Sequence, residues 1–236
     1  VSDPAVDTEP PVTTVEEAIA RMQAIGAALP SSDGVGIFNA IYLQVTELVR
    51  DKIDSGFYAD PAFMTHFDVV FVNLYLDALR AAASSPDQLA RCWAPLIERR
   101  GDDHVEPIQF AFAGLNAHMN HDLAVAVVNT CADLHTSPGD GSHHDDYCRV
   151  NDLLASLETS IRQSFEDAAA RAVDTRFQAA LNLVCNWSIV EARTAAWTNA
   201  EALWELRRVP RLARDYASVL DGTVGMASRA LLVALP

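Results

Sequence analysis

Apolar positions along this chain recur at helical spacing, and no stretch shows the period-2 alternation of a strand flanked by hairpin turns. The capping box Thr14-Val15-Glu16-Glu17 predicts a helix from Val15 to Leu29 that stops before Pro30. Ile37, Ile41, Leu48, Val49 and Ile53 predict a second over 35–55, ended by Gly56. Asp60 followed by Pro61 is an N-cap with proline at the first helical position, and opens a third over 61–83. A second capping box, Ser85 to Gln88, predicts a helix that meets Pro95 and closes at Arg99-Arg100-Gly101. Further helices are expected over 107–131, 149–172, 175–207 and 211–232, the last with Gly222 and Gly225 as points where it can break. Residues 134–147, rich in His, Asp and Gly, are expected to be the longest internal loop. The predicted fold is all-α: one domain over 13–236, with about seven or eight helices around a buried central helix (107–131). A flexible Pro-rich tail, 1–12, precedes it.

The central helix, PIQFAFAGLNAHMNHDLAVAVVNTC, is apolar nearly all round yet carries several polar groups. An all-apolar helix is normally buried, and buried polar groups must find partners or bind metal. His118 and Asp122 stand four apart, one turn along a single face. This is the spacing by which a helix offers two ligands to one ion, as in HExxH metalloenzymes. The helix over 61–83 carries a second polar stripe, His66, Asn73 and Asp77, from which Asp77 and His66 are the best further ligands. Asn73, Asn116, Asn120 and Tyr75 are then candidates for holding substrate. Imidazole with carboxylate suits zinc, iron or manganese. The loop residues His135, Asp140, His143, His144, Asp145 and Asp146 read as a solvated cluster.

Two stretches resemble an uncharacterised, all-helical bacterial family of unknown function. Its FDxxFxNxYLDA motif stands here as Phe67, Asp68, Phe71, Asn73, Tyr75, Leu76, Asp77 and Ala78. Its GxNAH[IM]NxDL motif stands as Gly114, Asn116, Ala117, His118, Met119, Asn120, Asp122 and Leu123. The likeness spans about Val35 to Trp204 and implies a helical fold without naming an activity.

Composition narrows the function classes. A formal net charge of −15, with Lys52 the only lysine, leaves no basic stripe for nucleic acid. No apolar run reaches about 18 residues, so no membrane span is expected. The four cysteines form no CxxC pair, and read as small buried residues of a cytoplasmic protein. The absence of GxSxG, Walker A and GxGxxG motifs argues against serine hydrolases and nucleotide cofactors. The leading expectation is a metal-dependent enzyme, hydrolase-type or oxygenase-type, acting on a small, partly apolar substrate. His118, Asp122 and Asp77 would be catalytic, and His118, Asp122, Asp77 and His66 would hold a divalent zinc, iron or manganese ion. One alternative is a metal-free cyclase, isomerase or lyase with His118–Asp122 as an acid–base dyad. The other is a non-enzymatic binding protein whose polar networks are structural. The amphipathic final helix is a candidate homodimer face.

Overall fold

Helix starts in this chain are set by side chains that answer the free N–H groups of a first turn. The computed structural model, which describes residues 9–172, 179–181, 184 and 187–235, shows these caps in place. The Thr14 hydroxyl accepts from Glu17 N–H at the head of α1 (Val15–Ala28), and the Glu17 carboxylate accepts from Thr13 N–H. Asp33 accepts from the N–H groups of Val35 and Gly36 and starts α2 (Gly34–Asp54). Asp60 accepts from Phe63 N–H and starts α3 (Pro61–Ser84). Then come α4 (Ala94–Arg99), α5 (Pro107–Ala117), α6 (Leu123–Asp133), α7 (His143–Arg149) and α8 (Asn151–Ala172), followed by α9 (Ile189–Leu206) and α10 (Pro210–Leu231). A five-residue π-helical turn, His118–Asp122, joins α5 to α6 without a break. With that pair taken as one, the described residues form nine helices and no strand. The all-α expectation is borne out.

The central helix is buried as its composition demands: every residue from Ile108 to Met119 is inaccessible or nearly so. α5 packs against α2 and α10, and α6 against α3 and α9. Two glycines permit the closest approaches. A Cβ on Gly114 of α5 would lie 2.4 Å from the Phe38 ring, and one on Gly225 of α10 would lie 2.4 Å from the Arg91 carbonyl oxygen. α10 therefore rests directly on the backbone before α4.

Several predicted elements differ. The capping box at Ser85 yields one 3-10 turn, Pro86–Gln88, and α4 begins only at Ala94. Pro95 sits in that helix's first turn, where its missing N–H is not needed, so it opens a helix and does not end one. The expected loop 134–147 becomes helical at His143, because the Asp146 carboxylate is buried and accepts from Ala59 N–H, Asp60 N–H and the Ser142 hydroxyl. Of the long helix expected over 175–207, Trp187 and Ser188 are non-helical, and Ser188 caps α9. Asn182, Cys185 and Asn186 lie outside the described residues. α10 runs through Gly222 and Gly225 unbroken. Of the expected tail, residues 9–12 lie within the described part. Val12 is buried, and its N–H and carbonyl bond the Asn73 side chain at 2.9 Å each.

α3 is long and apolar enough to cross a membrane by composition, but 61% of its most apolar window is buried inside the bundle, as in a core helix.

Candidate metal centre

The chemistry of the centre begins with the buried carboxylate of Asp122. Burial alone would raise its pKa, yet hydrogen bonds from His118 and His121 outweigh that and hold it below the usual range. His118 Nδ1 lies 3.0 Å from Oδ2, Trp93 Nε1–H donates to the same oxygen at 2.9 Å, and His121 Nδ1 lies 2.8 Å from Oδ1. Both histidines belong to the π-helical turn, in which residues one and four positions before Asp122 converge on its carboxylate. Such turns inside α-helices often mark functional sites.

The two histidines are driven in opposite directions. His118 is fully buried, and desolvation depresses its pKa despite Asp122, so the ring is neutral and donates Nδ1–H. It is held in an aromatic cage, stacked on Phe71 at 3.7 Å and met edge-on by Tyr42 at 4.3 Å. Its Nε2 is buried with no hydrogen-bond partner. His121 is partly exposed; burial would lower its pKa, but the Asp122 bond and charge, with Asp221 behind, raise it overall.

His121 also belongs to a second cluster. One of its ring nitrogens, Cys92 Sγ and an Asp221 carboxylate oxygen all lie within 4.8 Å of one another. With Nδ1 engaged by Asp122, Nε2 is the nitrogen open to an ion. Cys92 comes from the turn before α4, His121 from the π turn and Asp221 from α10. The close approach at Gly225 brings the last of these in. Asp221 is fixed by Cys92 N–H at 2.8 Å and by Arg91 N–H and Nε, both at 3.1 Å. Burial beside Asp122 and Asp221 pushes the Cys92 thiol far up, so it is protonated unless a cation draws the proton off. Zinc bonds of about 2.0–2.3 Å in a tetrahedron set ligand atoms roughly 3.5 Å apart. The three atoms, all within 4.8 Å of one another, would have to close in by at most about 1.3 Å to reach that spacing. A second acidic group, Asp102, Asp103 and His104, is solvent-exposed.

Of the residues expected to join His118, the structure brings only Asp122. Asp77 faces solvent and pairs with Arg80, and His66 pairs at the surface with Asp133 at 3.0 Å. Neither belongs to a ligand cluster among the described residues. Helical periodicity put both on one stripe of α3, but that stripe is the outward one. The expected substrate-binding groups are engaged internally. Asn73 clamps Val12. Asn116 donates to the Val224 carbonyl at 3.1 Å and to Ser228 Oγ at 3.0 Å, and accepts from Asn120 at 3.0 Å. The Tyr75 hydroxyl meets Asn39 Oδ1 at 3.2 Å. Cys92, Trp93 and Asp221 were not singled out from the sequence. Adjacent Cys and Trp, and a lone acid before Gly222 and Gly225, were the only signals.

Beyond the cage is an enclosed cavity of about 30 Å³. Tyr42, Tyr58, Asp68, Phe71 and Arg193 line it among aliphatic residues. The Tyr42 and Tyr58 hydroxyls and Asp68 Oδ2 are buried without partners.

A family model described as a family of unknown function, DUF5995, matches residues 15–234. The chain belongs to that family. No curated protein and no solved structure matches it. Family membership agrees with the resemblance read from the two motifs, and assigns no activity.

Proposed function

We propose that this protein is a metal-dependent enzyme whose divalent ion is held by Cys92, His121 and Asp221. The observation that carries the reading is the pinned imidazole: Asp122 holds His121 Nδ1 at 2.8 Å, on the side away from the nitrogen left to the ion. Metal-binding histidines usually have the other ring nitrogen bound to a carboxylate in this way, which fixes the tautomer and raises ligand basicity. Trp93 and His118 complete the support by fixing Asp122 itself. The expected ligand role of Asp122 thereby becomes a supporting one, and that of His118 more remote still. A thiolate among the ligands favours zinc over manganese. With three protein ligands and an open fourth position, a bound zinc would supply an activated water for hydrolysis. A small substrate fits, because His121 and Asp221 are only slightly exposed. Three free cysteines among the described residues support a reducing, cytoplasmic setting.

The test is elemental analysis of protein purified without chelator and then reconstituted with zinc, alongside Cys92→Ser and Asp221→Asn variants of unchanged far-UV circular dichroism. About one zinc per chain, lost in both variants, is expected. Absence of zinc from the reconstituted wild type overturns the reading.

The unpartnered Nε2 of His118 supports a second reading, a metal-free acid–base enzyme in which His118 takes a proton while Asp122 holds Nδ1. Turnover that survives Cys92→Ser and is lost in His118→Gln would select it.

A further inference from the structure

Soluble chains rarely leave large apolar side chains in a regular row on one helix. Six large hydrophobic residues are exposed among the described residues, and five of them, Val209, Leu212, Val219, Met226 and Val233, fall in or beside α10. Leu212, Val219 and Met226 follow one another at intervals of seven along α10, with Val233 just past its end, and Val219 and Met226 are 68% and 67% exposed. A seven-residue apolar repeat keeps one seam facing a partner helix, and is the pattern by which two helices pack along their length. The opposite face of α10 already closes the bundle through Val224, Gly225 and Ser228. The outward row therefore has no role within the chain.

We infer that α10 is a self-association face, on which two copies of this chain pair antiparallel about an axis near Gly222. Three observations select a second copy as the occupant. First, the row is flanked by the small exposed residues Ser218 and Thr223, with Gly222 lying under the Arg91 guanidinium, so no bulky side chain of α10 itself stands beside the axis. Second, Asp215 and Arg229 lie on the same exposed side, seven residues either way from Gly222. Antiparallel pairing sets Asp215 of each copy against Arg229 of the other; parallel pairing would set like against like. Third, α10 carries Arg211, Arg214 and Arg229 against Asp215 and Asp221, so it escapes the repulsion expected of a chain with net charge −15. A surface groove of about 470 Å³, lined by Arg91, Val219, Gly222, Met226 and Arg229, lies on the row and offers a seat for the other copy's Met226. A helix of 22 residues is about 33 Å long and roughly 10 Å wide. Two opposed faces of that size make a small interface, so the pairing is reversible at micromolar concentrations. The inference does not rest on the metal reading.

The test is sedimentation equilibrium of the full chain from about 1 to 200 μM. Wild type is expected to rise from 25.6 kDa toward twice that mass. Val219→Glu and Met226→Glu, at exposed positions, should stay monomeric with unchanged helicity. Asp215→Arg should weaken the dimer at least tenfold, and adding Arg229→Asp should restore it. Thr223→Cys, near the axis, should oxidise to a covalent dimer faster than Leu212→Cys. A wild type that is monomeric at 200 μM, or a dimer indifferent to Val219→Glu, overturns the inference. Faster cross-linking through Leu212→Cys overturns the antiparallel arrangement.

Discussion

Replacing Asp68 by asparagine should stabilise the protein at alkaline pH and leave it unchanged in acid. Asp68 is buried on α3, its Oδ2 has no partner, and desolvation raises its pKa from the ordinary 3.8 to about 7. The neighbouring groups do not supply a counter-charge. The Tyr42 and Tyr58 hydroxyls are themselves held protonated by burial and by Asp68. The Arg193 guanidinium is bonded to Asn151 Oδ1 and the Tyr147 carbonyl, and lies 4.0 Å over the Tyr147 ring. A carboxyl whose pKa is raised by folding costs nothing below its unfolded value. The cost accumulates as pH rises from about 4 to about 7 and is constant above. At about 1.4 kcal/mol per pH unit, a span of roughly three units makes ~4 kcal/mol, a large part of a typical domain's stability. The amide has the carboxyl's shape and no charge. Urea unfolding followed by circular dichroism at half-unit steps from pH 4 to 8.5 gives the difference between variant and wild type, in which all other titrations cancel. The difference should be near zero at pH 4, grow through pH 5–7 and level off. A difference that does not change with pH would mean that folding leaves the Asp68 pKa unshifted, and an asparagine variant that loses stability against wild type as pH rises to 8 would mean that Asp68 is ionised and paired in the native state.

Three further outcomes follow from the packing around the π turn. Trp93→Phe keeps most of the apolar volume but takes one donor from the buried Asp122, and should cost about 1–3 kcal/mol in urea unfolding. Gly114→Ala forces a Cβ against Phe38, and should lower stability by roughly 1–3 kcal/mol, read as a fall in melting temperature. Asn116→Ala removes the bonds that tie α5 to Val224 and Ser228, one and two turns beyond Asp221. It should weaken zinc binding about tenfold in a competition titration, although Asn116 touches no ligand.

What the sequence made legible was local. Caps and proline positions located helix starts to within a residue or two where a few adjacent side chains decide them, as at Thr14 and Asp60. Pro95 misleads locally, since a first-turn proline and a terminating one share the same residue, whereas at the HHDD stretch a distant partner decides the outcome. Asp146 is buried because it binds the N–H groups of residues 59 and 60, over eighty positions earlier. The π turn, too, has no signature in the apolar spacing, which continues through it. Periodicity could place His66, Asn73 and Asp77 together on α3, but it could not say which face of an almost wholly apolar helix meets the core.

The same limit explains why the candidate ligand cluster was hidden. Cys92, His121 and Asp221 are separated by 29 and 100 residues and meet only because α10 lies against the backbone at Arg91. The polar groups of the central helix that drew attention as candidates prove to be of two kinds. Asn116 and Gln109 tie α5 to α10, Gln109 by donating to the carbonyls of Leu231 and Val233 at its end, and Asn120 braces Asn116. His118, His121 and Asp122 form the charged hub. A buried helix can carry the first kind at little cost, since each donor is answered: Gln109 by the carbonyls of Leu231 and Val233, Asn116 by the Val224 carbonyl and Ser228 Oγ, and Asn120 by Asn116 Oδ1. It can carry the second only where one side opens toward solvent, and His121 is the member through which this hub does so. For that reason the proposed ligand role falls to His121, which helical spacing alone had set beside the HxxxD pair and not within it.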